Sequence, residues 1–324
     1  MNNQYVVGMG EVLFDLLPAG AALGGAPANF AYHARQLGLR SCVVSALGDD
    51  DLGRLAQQLL ADKGLEVSLQ IVPFPTGTVE VSLDEAGVPS YQIFEGVAWD
   101  NIAFTPSLKE LARDTVAFCF GSLAQRSDVS RRTINRFLEE MPVESCKIFD
   151  INLRQHFYSA GVIESSLRAC NILKINDEEL EIVSHLFQLK GSIAERCRQL
   201  AEHFSIKIVV LTCGIQGSYV FTAGDESFLP TPSIEVADTV GAGDSFTAAF
   251  VASFLCGRDI HFAHRLAVDV SAFVCTQHGA MPILPEKIRS CLKWNTTALS
   301  GRFLCCRLHF IKSHLWRASR TPYA

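Results

Sequence analysis

The sequence has 324 residues, of which 48 % are apolar and 19 % charged, and its net charge at neutral pH is −6. That length supports one large core with a small appendage, and the composition is ordinary for a globular enzyme. The acidic balance argues against a nucleic-acid binder that grips phosphates through a basic footprint, but a few local donors could still hold a nucleotide.

The N-terminus, Met1 to Tyr5, is polar. The apolar stretch behind it is broken by Gly8, Gly10, Glu11 and Asp15, so it does not read as a secretory signal. Phe246–Leu255 is apolar but too short to span a bilayer. Together these features predict a cytoplasmic protein without membrane contact. The eleven cysteines are odd in number and scattered, several within apolar runs such as Val116–Phe120. They read as reduced thiols that pack as small hydrophobes.

In chain order, Tyr5–Met9 predicts a strand. Pro27–Leu37 predicts a helix, with Pro27 in its first turn and Gly38 as its stop. Ser41–Leu47 is a second strand. Residues 71–99 then lose any helical period: Thr78–Leu83 and Ser90–Phe94 alternate around a turn at Asp84–Pro89. This inserted hairpin predicts a lid, an oligomer contact or a plain edge hairpin. Thr115–Phe120, Lys147–Ile151, Ile172–Ile175 and Ile206–Leu211 are short, mainly apolar runs, as expected of strands buried on both faces of a parallel sheet. Helical stretches at Ser130–Glu140, Asp177–Phe187 and Ile193–Phe204 lie between them. The alternation predicts an α/β sandwich with helices on both faces of a mainly parallel sheet. The segment 294–324 carries five basic and no acidic residues, and residues 1–293 carry 23 and 34. It reads as an atypical tail beyond a single domain over 1–293.

The strongest chemical signal is Asp238-Thr-Val-Gly-Ala-Gly-Asp244. Phe246, Ala249, Phe250, Ser253 and Phe254 follow at helical spacing and predict an amphipathic helix with one packed face. The backbone N–H groups of Gly241, Ala242 and Gly243 then sit unpaired at a helix N-terminus, where the dipole favours an anion. Asp244, in the first turn, could take a proton from a nucleophile attacking a phosphoryl group held there. On a purely structural reading Asp244 only caps the helix. Other nucleotide signatures fail: no Gly-x-x-x-x-Gly-Lys-[Ser/Thr] occurs, and Leu13 stands where a dinucleotide fingerprint beginning at Gly8 needs its third glycine.

With these residues in place the chain resembles the ribokinase-like (PfkB) carbohydrate kinases, and among them bacterial fructokinases. The resemblance is carried by Gly24-Gly-Ala-Pro-Ala-Asn29 running to Gly48-Asp-Asp-Asp-Leu-Gly53, and by the Asp238–Asp244 element. Phe120-Gly-Ser-Leu-Ala-Gln-Arg126, Asp150-Ile-Asn-Leu-Arg154, Asn176-Asp-Glu-Glu179 and Thr212-Cys-Gly214 occur between them in order, so about residues 5–292 are covered. It implies a three-layer α/β/α sandwich with a small β-strand lid, its strands within about residues 71–99 and near the N-terminus, and transfer of the ATP γ-phosphate to a hydroxyl of a small free sugar, D-fructose at its 6-OH. It implies Asp15, Gly24, Gly25, Asn29 and Asn152 on the sugar, Asp244 as base, and Arg154 toward the sugar or the transferring phosphate. Arg126 falls on the sugar side too, with a structural salt bridge as the competing reading. Asn176 and Glu179 match the motif that organises Mg²⁺ through water, although helix capping explains them equally well. Thr212, Gly214 and Gly217 match the nucleotide loop, with His278 beside the adenine. Asp238, Val240 and Gly279 match a loop holding K⁺. The lid strands would also pair two copies into a homodimer. Another sugar (2-keto-3-deoxygluconate, ribose or a nucleoside) and a non-catalytic sugar-binding sensor remain alternatives.

Overall fold

The computed structural model describes residues 4–17, 20–83 and 89–292. The turn expected within Asp84–Pro89 and the tail 294–324 thus lie wholly or mostly outside the described residues.

The chain opens with β1 (Tyr5–Met9), β2 (Leu13–Leu17) and β3 (Gly20–Gly24), followed by α1 (Ala26–Gln36), β4 (Ser41–Gly48), α2 (Asp51–Asp62) and β5 (Glu66–Val72). Next come β6 (Gly77–Leu83), β7 (Pro89–Ile93), α3 (Pro106–Arg113), β8 (Thr115–Phe120), α4 (Asp128–Glu140) and β9 (Cys146–Asp150). The second half runs α5 (Ala160–Ala169), β10 (Ile172–Asn176), α6 (Asp177–Phe187), α7 (Ile193–Phe204), β11 (Ile208–Thr212), β12 (Ser218–Thr222) and β13 (Glu226–Leu229). It ends in α8 (Ala242–Leu255), α9 (Ile260–Cys275) and α10 (Glu286–Arg289). Most helices start where a side-chain oxygen can accept an orphan N–H: Asp50 caps α2, Thr105 α3, Ser127 α4, Ser159 α5, Asn176 α6, Ser192 α7 and Asp259 α9.

Nine strands form one sheet in the order β13-β12-β11-β10-β9-β8-β1-β4-β5. Only the pairings of β12 are antiparallel. Successive strand residues point to opposite faces, and both faces are covered. Val7, Met9, Phe118, Phe149, Leu173, Val209 and Leu211 pack against α3 to α7. Val6, Cys119, Ile148, Ile172, Ile208 and Val210 pack against α1, α8 and α9. Continuous apolar runs are the sequence consequence of that double burial.

Helix α8 differs from expectation. Every residue from Ser245 to Leu255 is buried, so the helix is not amphipathic. Its alanines and serines, which suggest a solvent face, instead let α1 and α9 approach closely. A second sheet, in the order β3-β2-β6-β7, contains the predicted hairpin as β6 and β7. No helix among the described residues is long and apolar enough to cross a membrane. The nine described cysteines are free and six of them are buried. Burial pushes the thiols of Cys42, Cys146, Cys170 and Cys197 up to about 12, consistent with inert packing groups.

Candidate active site

The order of the large sheet reverses beside β1: the chain passes from β1 to β4 and β5 on one side, and to β8 through β11 on the other. Ligands of open α/β sheets bind outside the carboxyl ends of the strands at such a reversal. The chemically interesting residues are at those ends. Gly10 and Glu11 follow β1, Gly121 and Ser122 follow β8, Asp150 closes β9, Asn176 closes β10 and Thr212 closes β11.

Helix α8 points its N-terminus at this place. Gly241 precedes it with φ 77°, and a Cβ there would lie 2.9 Å from the Ala280 carbonyl oxygen. Only glycine suits both the left-handed backbone and the contact. The Ala280 carbonyl also accepts a hydrogen bond from Nε2 of fully buried His33 at 2.9 Å. Burial lowers the His33 pKa to about 4, so this ring is neutral.

Asp244, in the first turn of α8, accepts a hydrogen bond on Oδ2 from Asn29 Nδ2 at 2.8 Å. Asn29 is buried, and its Oδ1 has no partner. Burial, reinforced by the negative charge of Asp150, raises the Asp244 carboxyl to about 6. Asp150 is paired with Lys174 at 3.2 Å and accepts from Thr247 Oγ1 at 3.0 Å. A Cβ on Gly243 would sit 3.0 Å from Lys174 Nζ, so this ammonium reaches the start of α8. Burial opposes its charge, but Asp150, Glu179 and Asp244 outweigh that and hold its pKa above the ordinary lysine value. Glu11 is also buried; burial, with Asp244 adding to it, raises its carboxyl to about 7.

Arg154 is exposed, and its charge is felt at both Asp244 and Glu11. Asn152 precedes it in a left-handed conformation, φ 45°. Asn176 and Glu179 form a reciprocal capping box on α6. Asp15 lies in β2 of the small sheet rather than near the end of the first strand, because the chain turns at Gly10. It faces Gly24, where a Cβ would lie 2.9 Å from its carboxylate, and burial raises its pKa. Gly25 has φ 122°, and a Cβ there would be 2.3 Å from the Glu11 carbonyl oxygen, so the Gly24–Gly25 turn crosses the β1–β2 connection in contact with it.

Arg126 takes up the structural pairing. Its Nε and Nη2 each bond Asp100 at 2.9 Å, and its guanidinium lies between the rings of Trp99 and Phe157. On the other flank, Gly214 and Gly217 border the turn after β11, and Thr231 Oγ1 donates to the Gly214 carbonyl. An open hollow of about 510 Å³ lies nearby on the chain, lined by Ile234, Glu235, Val236, Ala237 and Thr276. Exposed His278 follows it. The Asp238 carboxylate accepts the N–H groups of Val240 and Gly279, joining the two segments expected to form the cation loop.

The sequence reading assigned no role to Lys174, Asp150 or Glu11. A lysine inside the apolar run Ile172–Ile175 was the available signal for the first; its partner is on the neighbouring strand, which only the sheet order reveals.

A recessed carboxylate at a helix N-terminus, flanked by a lysine and an arginine at the reversal point of a three-layer α/β/α sandwich, defines a phosphotransferase-type site. The family is then given directly: the model of the pfkB family carbohydrate kinases matches residues 20–287, and the chain belongs to that family. It is 26 % identical over 315 residues to probable fructokinase-3 of Arabidopsis thaliana, covering 88 % of this chain and 90 % of that one. It is equally 26 % identical, over 304 residues, to the ATP-dependent 6-phosphofructokinase of Thermoanaerobacterium thermosaccharolyticum, covering 87 % and 91 %. Fructokinase from Vibrio cholerae O395, solved with fructose, ADP and a calcium ion, superposes with a TM-score of 0.73 at 25 % identity, covering 90 % of this chain and all of that one.

Proposed function

We propose that this carbohydrate kinase transfers the γ-phosphate of ATP to the 6-OH of D-fructose, with Asp244 as general base. The observation that carries the reading is the Asp244 carboxylate, held by Asn29 at 2.8 Å in the first turn of α8 and raised to about 6. A carboxylate so placed is ionised at neutral pH yet more basic than a free aspartate. The sugar hydroxyl gives its proton to Asp244 as its oxygen bonds to the γ-phosphorus. The bond from that phosphorus to the β,γ-bridging oxygen breaks, and ADP leaves with the electron pair. The N–H groups of Gly241, Ala242 and Gly243, the Lys174 ammonium and the Arg154 guanidinium hold the charge that develops on the phosphoryl oxygens. Asp15, Asn29 and the Gly24–Gly25 backbone hold the sugar, joined by Asn152. Thr212, Gly214 and Gly217 hold the nucleotide, with the hollow beside Ile234–Ala237 and His278 as the adenine seat. The small sheet serves as a lid that excludes water, and a second copy would pair through it.

The donor set does not form a cage for Mg²⁺. Among the described residues no group of three His, Cys, Asp or Glu side chains could hold a metal ion. Asn176 Oδ1 and both Glu179 carboxylate oxygens already accept backbone N–H groups. Magnesium would enter with ATP, coordinated by phosphate oxygens and water. K⁺ would bind the loop that Asp238 ties together.

The test is ADP release from Mg-ATP against fructose, ribose, glucose, mannose, 2-keto-3-deoxygluconate and adenosine. Fastest turnover with fructose is expected. Preference for another of these moves the specificity, and no turnover by folded protein overturns the assignment.

A further inference from the structure

A capping-box glutamate ordinarily returns one oxygen to its own helix start. Glu179 does so: Oε2 accepts the Asn176 N–H at 2.9 Å, while the Glu179 N–H donates to Asn176 Oδ1 at 2.8 Å. Its other oxygen, Oε1, leaves the helix and accepts the N–H of Leu153 at 2.9 Å. The side chain is buried, at 5 % exposure. Leu153 lies in an irregular loop where two non-glycine residues are left-handed, Asn152 at φ 45° and Gln155 at φ 48°. Such a backbone persists only where its surroundings fix it. Ser122 Oγ donates to the Asn152 carbonyl at 3.3 Å, the Phe157 N–H donates to the Arg154 carbonyl at 3.0 Å, and the Leu153 side chain packs against the core. The buried side-chain tie to the Leu153 N–H is the one from Glu179. The next residue is Arg154, whose exposed guanidinium donates to the Leu153 carbonyl at 3.3 Å.

We propose that Glu179 is a positioning residue for Arg154: its carboxylate fastens the Asn152–Gln155 loop to the N-terminus of α6, so that the guanidinium is presented to the phosphoryl group beside Asp244. This rests on the kinase reading above, and it assigns both carboxylate oxygens to backbone rather than to a metal ion. Glu179→Gln keeps the shape but turns an amide N–H₂ toward one of the two N–H donors, so one tie is lost.

Two measurements on the full chain test it. In the first, limited tryptic digestion is followed by mass spectrometry, with intact secondary structure verified by circular dichroism. Cleavage after Arg154 should quicken at least ~10-fold in Glu179→Gln relative to cleavage elsewhere, because the loop opens locally. An unchanged rate overturns the proposal whether or not the protein phosphorylates sugar. The second is a double-mutant cycle on ADP release. Glu179→Gln should lower kcat on the order of 10²-fold in the native background, the size expected for a misplaced group. It should have little further effect on Arg154→Ala, and the Mg²⁺ concentration for half-maximal rate should stay within about twofold of the native value. A full loss on the Arg154→Ala background, or a large rise in the Mg²⁺ requirement, overturns the positioning role. If Glu179→Gln does not fold, Glu179→Asp, one methylene too short to reach both donors, takes its place in both measurements.

Discussion

Asp244 owes its basicity to where it is held, and its behaviour can be tested by charge and by shape. Asp244→Asn keeps the size and can still bond Asn29, so sugar affinity should persist while kcat falls by at least ~10². Near-normal turnover in steady-state kinetics would remove Asp244 as the base. Because its pKa is raised to about 6, kcat/KM should decline by about tenfold per pH unit below that value. A profile flat to pH 5 would contradict it. Stability should follow the opposite course. Asp244 and Glu11, raised to about 6 and about 7, bind protons in the folded state that the unfolded chain has already released. Unliganded protein should therefore lose stability as pH rises from about 4 to 7, seen as a falling urea midpoint, each unit of upward shift being worth about 1.4 kcal/mol. Asp244 and Asn29 are legible in the sequence because they stand in motifs, and Asp15 through the family resemblance alone. Lys174, Asp150 and Glu11 are not, since their significance is a set of contacts between chain segments far apart in sequence.

At the scale of elements, the strands were readable because double burial leaves a run such as Ile206–Leu211 with no polar alternation. Strands β2 and β3 could be expected only as lid strands near the N-terminus, without bounds: they are five residues each, the second is Gly-Ala-Ala-Leu-Gly, and neither carries a period of its own. The same lack of a polar stripe explains the misjudged α8: small residues on a helix read as solvent-facing when they are the surface on which α1 and α9 rest. The consequence is measurable. Phe250 is 1 % exposed at the middle of that helix. Phe250→Ala should cost about 3–5 kcal/mol in urea unfolding, as for other large buried rings. A cost below about 1 kcal/mol would mean that the helix can collapse around the gap.

For the whole molecule, the family motifs and the βα alternation together made the sandwich legible, but the sheet order came only from three dimensions. The last described residue, Leu292, is buried at 4 % exposure against the α8 and α9 side of the sandwich, although the family match ends before it, at residue 287. We expect a chain ending at Lys293 to release ADP at the rate of the full chain; loss of activity in folded protein would assign the tail a role in the domain. One further consequence follows from the bond between Asn29 and Asp244, which joins residues 215 positions apart. Asn29 is made early on the ribosome and Asp244 much later. A nascent chain stopped before α8 lacks Asp244. It also lacks α8, the helix against which α1, with its buried Phe30 and Ala34, packs most extensively in the finished protein. Synthesis should therefore yield an apolar, inactive intermediate for most of its duration, with catalytic competence arriving in one step as the last helices leave the exit tunnel.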